Sequence, residues 1–95
     1  QTDIFSFSDN SYRVSGRAAI EQINDHFEVE LPSVLDDERF DTIGGLVAHA
    51  LGHVPMKGEV HTMNGLQFTP LHVRGGSVTW FRVKKTQSNP ANQIG

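Results

Sequence analysis

Apolar positions recur along this chain in two rhythms. Over residues 17–27, Ile20, Ile23 and Phe27 follow helical spacing. Ser15 is the predicted cap of that helix, with Ala18 and Ala19 in its first turn. A second stripe is longer. Ile43, Leu46, Val47, Ala50 and Leu51 stand at i, i+3, i+4, i+7 and i+8, behind Asp41 or Thr42 as N-cap. Gly52 is the predicted stop, and Pro55 follows three residues later. Residues 28–41 have neither rhythm and read as irregular, since Pro32 disfavours helix at Leu31.

The other rhythm is alternation. Tyr12-Arg13-Val14 predicts a short strand that ends at Ser15-Gly16. Residues 59–63 predict another. Asn64-Gly65 then predicts a type I′ hairpin into residues 66–73. Parity slips along that partner strand, because Leu66 and Phe68 share one face while Leu71 and Val73 share the other. Pro70 between them predicts an edge position or a bulge. Arg74-Gly75-Gly76-Ser77 predicts a further turn. Residues 78–84 form the last strand, with Phe81 and Val83 on one face and Trp80 and Arg82 on the other. The expected fold is α+β: two helices packed on a small antiparallel sheet, in the order β-α-α-β-β-β. Residues 1–8 read as an extended lead-in, 9–85 as the domain and 86–95 as a disordered polar tail.

Composition narrows the function. Ninety-five residues suit one domain. With no cysteine, disulfides and thiolate metal sites are excluded. A net charge of −3 and scattered basic residues argue against a nucleic-acid partner. No apolar run approaches the roughly 20 residues that span a bilayer. No signal-peptide pattern opens the chain. The chain starts without Met, which suggests a soluble piece of something longer.

No catalytic set emerges. Gly44 and Gly45 each cost about 1 kcal/mol against Ala in a helix, so their presence needs a reason. Close approach of another backbone is the preferred reason. Phosphate or cofactor binding at the helix N-terminus is the alternative, although no GxGxxG or GxxxxGK[ST] pattern surrounds them. His49 and His53 share a helix face at i and i+4, a spacing that can hold zinc. No general-base Glu lies between them, and only His61 or His72 could supply a third ligand, so boundary histidines are the preferred reading. Asp36, Asp37, Glu38 and Asp41 lack the spacing and glycine of a calcium-type loop and read as a solvated, helix-capping cluster rather than a magnesium site. Ser77 has no GxSxG context. Trp80 lies opposite the core parity and is the candidate contact residue.

Four stretches carry a resemblance. Asp9-Asn10-Ser11-Tyr12-Arg13-Val14-Ser15-Gly16 resembles a "DGS-aromatic-x-V-x-G" strand. Phe40-Asp41-Thr42-Ile43-Gly44-Gly45-Leu46-Val47 is similar to a "(Y/F)DT(I/L)(A/G)G(L/Y)(V/I)" helix start. Gly52-His53-Val54-Pro55 with Lys57-Gly58-Glu59 resembles a "G-x-(I/V)-P-x-x-G-(E/D)" helix exit, and Asn64-Gly65-Leu66-Gln67-Phe68 a "G-x-x-F" hairpin. Together these resemble the CorC/HlyC transporter-associated domain over residues 9–85. His53 departs from the family, where Arg is frequent, which weakens any requirement for a fixed charge there. The resemblance implies a non-catalytic accessory or regulatory domain in the cytoplasm. It would follow a CBS-domain pair in a membrane or membrane-associated parent linked to magnesium and cobalt efflux, or named hemolysin-like. The CBS pair, the membrane domain or a second copy of the chain would be the partner. The fold is grouped with FAD-binding domains, so a module binding FAD or another nucleotide is the alternative, on fold grouping alone. No cofactor is expected. A cytolytic role, suggested only by the hemolysin name, lacks an amphipathic or spanning segment.

Overall fold

A computed structural model describes residues 3–86. Its elements run β1 (Ile4–Ser6), β2 (Ser11–Ser15), α1 (Ile20–Phe27), β3 (Val34–Leu35), β4 (Glu38–Arg39), α2 (Ile43–Leu51), β5 (His61–Met63), β6 (Leu66–Arg74) and β7 (Ser77–Lys85). Five strands form one antiparallel sheet in the order β1-β2-β7-β6-β5. Both helices pack on one face of it; α1 buries its whole stripe, and α2 buries Ile43, Leu46 and Val47 while Ala50 is exposed and Leu51 half-buried. Ile20, Ile23, Phe27, Ile43, Leu46 and Val47 join Val14, Leu66, Phe68, Phe81 and Val83 in a single core. The rings of Phe68 and Phe81 meet edge-on at 5.7 Å, and each such buried ring contributes about 1.5–3 kcal/mol through its burial.

The antiparallel sheet with two helices on it is as the pattern predicts, and each difference has a physical cause. The lead-in contributes strand β1, whose Ile4 pairs with Val14. Helix α1 starts at Ile20 rather than near Arg17, because Ala19 is held in an isolated bridge to Thr42 with an extended backbone. Ser15 does not cap the helix; its hydroxyl accepts from Arg17 N in a local turn. The irregular segment holds a two-stranded hairpin, β3–β4. Its turn residues Asp36 and Asp37 take φ values of 54° and 64°, positions where Gly or Asn is the usual signal. Asn24 anchors the approach to that hairpin. Its side-chain amide donates to Leu31 O at 3.1 Å and its oxygen accepts from Leu31 N at 2.8 Å.

Thr42 caps α2, accepting from Gly45 N, and Gly52 ends the helix in the left-handed region. Asn64-Gly65 closes β5–β6 with φ values of 48° and 84°. Pro70 sits where β5 no longer covers β6, and its carbonyl accepts from Gly58 N. The ladder with β7 slips just after it, around His72. That bulge is the cause of the parity change. Thr86, assigned to the tail by composition, is instead tied down: its N–H and its hydroxyl both donate to Gly65 O. The rest of the expected tail lies outside the described residues. Among the described residues no helix is long and apolar enough to cross a membrane.

Candidate interaction surface

The start of α2 is closed to an anion. Ile43 N donates to Ala18 O at 2.9 Å, Gly44 N to Gly16 O at 2.9 Å, and Gly45 N to the Thr42 hydroxyl at 3.3 Å. These are the amides a phosphate would need. Gly44 is where the chain requires a glycine, since a Cβ there would stand 2.8 Å from Gly16 O. Gly45 differs from the expectation of a second close approach. It is exposed, and its Cβ would meet only Thr42 Oγ1 at 3.3 Å and Phe40 Cδ1 at 3.6 Å.

Only His49 lies in α2; His53 falls beyond the Gly52 cap, so the two histidines do not share a helix face, and they go to separate carboxylates. His49 Nε2 lies 3.0 Å from Asp36 Oδ2, and its Nδ1 lies 3.5 Å from Glu38 Oε1. Because the two acids meet opposite nitrogens of one ring, no single point is shared by both acids and a nitrogen. His53 Nε2 instead contacts Glu59 at 3.0 Å. Glu59 also accepts from Met56 N, and that amide, with the His53 ring second, lowers its pKa below the ordinary value. His61 lies on β5 and His72 on β6, and neither completes a metal-ligand set with His49 or His53 among the described residues. Among the described residues no group of three His, Asp or Glu side chains is placed to hold a metal ion. The acidic cluster is also divided. Asp36 and Glu38 face His49, while Asp41 contributes its carbonyl to Ile20 N.

Trp80 is half-buried and lies on the sheet face that no helix covers among the described residues. Its cover comes from neighbouring strands. The Arg13 guanidinium sits 4.0 Å from the Trp80 ring centroid and 5.8 Å from that of Phe5, and the Phe5 and Trp80 rings are 5.9 Å apart. A guanidinium over an aromatic face is attracted by the ring quadrupole, and the ring also fixes its orientation. Beside this stack lies an open groove of about 490 Å³ lined by Arg13, His72, Val73, Arg74, Thr79 and Trp80. One row further along the sheet, Arg82 lies 4.6 Å from the Phe7 centroid and donates to Asp9 Oδ2 at 2.8 Å. The Ser11 hydroxyl, and after it Arg82, hold the Asp9 carboxyl down to a pKa of about 2.

Parity along β7 identified Trp80 as outward-facing. Arg13, His72 and Arg74 were missed as its neighbours. Their meeting depends on the β2–β7 register, which sets Arg13 opposite Arg82 and Ser15 opposite Trp80, and on the bulge that pairs His72 with Trp80.

Comparison with known proteins gives these features a family. The family described as the CorC_HlyC transporter associated domain matches residues 6–87. The magnesium and cobalt efflux protein CorC of Salmonella typhimurium is 39% identical over 66 residues, covering 70% of this chain and 21% of that protein. Hemolysin C of Brachyspira hyodysenteriae is 36% identical over 87 residues, covering 92% of this chain and 31% of that protein. The chain thus spans less than a third of either relative. A crystal structure described as the CorC-associated region of a Mg²⁺ and Co²⁺ transporter from Neisseria meningitidis superposes with a TM-score of 0.81. It is 34% identical and covers 90% of this chain and all of that one. The chain belongs to the CorC/HlyC transporter-associated domain family.

Proposed function

We propose that the chain is a non-catalytic accessory domain of a larger CorC/HlyC-type protein linked to magnesium and cobalt efflux. It acts in the cytoplasm beside a CBS-domain pair and the membrane part of that protein. The observation that carries the reading is the open sheet face, where Trp80, Phe5 and Arg13 form a solvent-facing stack while the opposite face holds the core. Aromatic and arginine side chains on a sheet surface are the residue types that anchor protein contacts. Docking of this face onto the CBS pair is the regulatory contact. Gly44 and Gly45 have no part in it, since the amides there serve the fold.

The test is a binding titration between the 95-residue chain and the CBS pair encoded by the same gene. Association is expected, and Trp80→Ala should weaken it about tenfold or more, as truncating an interface anchor does. Unchanged affinity for Trp80→Ala would remove this face from the contact. No association at all would remove the docking role.

A further inference from the structure

Charge is unevenly divided in this acidic chain. Residues 19–60, which hold both helices and their loops, carry nine Asp or Glu against two Lys or Arg. The five strands of the main sheet carry five Lys or Arg and no Asp or Glu. One of these cations, Lys85, is turned to the helical side, where its ammonium donates to Phe27 O. The others lie along the open face or at its end. Arg82 is paired with Asp9, whereas Arg13, Arg74 and Lys84 have no ion-pair partner among the described residues. Arg13 and Arg74 line the same groove, together with His72, Val73, Thr79 and Trp80.

We propose that this groove binds an acidic protein segment, in which carboxylates flank one apolar side chain. The inference rests on the docking role of the open face and names the chemistry of what docks. Planar guanidinium groups match carboxylates with two parallel hydrogen bonds, and the stack on Trp80 holds Arg13 in place for this. The edge of Trp80 leaves an apolar surface beside the cations for a single aliphatic or aromatic residue. The acidic helical layer of the same molecule repels the segment elsewhere, which restricts it to this face.

Trp80 is the sole tryptophan of the chain and reports from within the groove. The probe is a short glutamate peptide with a central leucine, titrated while Trp80 emission is followed. A saturable change is expected, weakening about tenfold when salt rises from about 0.05 M to about 0.3 M, because the pairs are solvent-exposed and screened. Arg74→Gln should weaken binding about tenfold, and Arg13→Gln at least as much. Arg74 is exposed at the end of β6, so its variant folds and keeps the comparison valid. No saturable change up to about 1 mM peptide overturns the proposal, since that bounds the affinity at about −4 kcal/mol. Equal binding of the same peptide with glutamine in place of glutamate overturns it too, as does indifference to both substitutions. An emission shift with phosphatidylglycerol vesicles but not with peptide would assign the face to membrane. Salt-sensitive self-association without peptide binding would assign it to a second copy. If Trp80→Ala abolishes docking to the CBS pair while the peptide neither binds nor competes, the docking role stands and the acidic chemistry falls.

Discussion

Adding one methyl group at Gly44 tests the helix-to-strand contact on which the domain depends. In Gly44→Ala the new Cβ would stand 2.8 Å from Gly16 O and 3.5 Å from Gly16 C and Cα. Gly16 cannot retreat easily. Its N–H donates to Thr79 O at 2.9 Å, and its own Cβ position is already within overlap of Val78 O. Helix α2 must therefore move. That strains the Gly44 N to Gly16 O bond, worth about 1 kcal/mol, and overpacks a filled contact, at a cost of about 1–3 kcal/mol. The Ala gains back about 1 kcal/mol of helix propensity. The net expectation is a loss of about 1–3 kcal/mol. For a domain of this size each kcal/mol shifts Tm by about 4–8 °C. Gly45→Ala is the internal control. It has the same propensity gain at an exposed position whose nearest new neighbour is the Thr42 hydroxyl at 3.3 Å. It should be as stable as wild type or up to about 1 kcal/mol more stable. Urea and thermal melts followed by circular dichroism measure both. A Gly44→Ala protein as stable as Gly45→Ala would refute the argument that backbone contact, rather than helix chemistry, requires the glycine.

Three further outcomes follow from single features. Asn24→Leu should destabilise by about 1–3 kcal/mol in urea melts, because it leaves the N–H and C=O of Leu31 without their side-chain partners. Gly65→Ala should cost about 1 kcal/mol in the same assay, since Ala must take a φ of 84° to keep the hairpin. Asp9 has its carboxyl pKa lowered from the ordinary 3.8 to about 2 by the Ser11 hydroxyl and then Arg82, so its contribution is present above pH 3.8 and is lost as pH falls toward about 2. The stability difference between wild type and Asp9→Asn should shrink across that window. A difference that stays constant from pH 4 to pH 2 would show that the carboxylate is not what matters at that position.

Most of the architecture was legible in the sequence because local chemistry and global packing agree. The stripe from Ile43 to Leu51 has a Thr cap before it and a Gly stop after it, and Asn64-Gly65 has the chemistry that its turn demands. What escaped depended on partners far away in the chain. Ala18 and Ala19 look helical by composition, yet Ala19 bridges Thr42. Strand β1 forms because β2 offers it an edge, not through any pattern of its own. The β3–β4 hairpin turns on two aspartates rather than on a glycine. The interaction surface was half legible. Alternation along β7 turned Trp80 outward, but nothing near it in the chain announces Arg13, 67 residues earlier, which the sheet register brings to 4.0 Å.

Strand β7 lies between β2 and β6, so the last-made element of the sheet is the one that joins its two halves. During synthesis β2 and the β5–β6 hairpin emerge first and have no edge in common. The apolar sides of both helices then face an unfinished floor. A nascent chain that stops before Ser77 keeps Ile43, Leu46 and Val47 without Phe81 and Val83 to pack on. Pairing that spans nearly the whole sequence is slow because loop closure must precede its reward. Assembly therefore waits until β7 has left the ribosome, and the domain forms in one late step rather than growing strand by strand from its N-terminus.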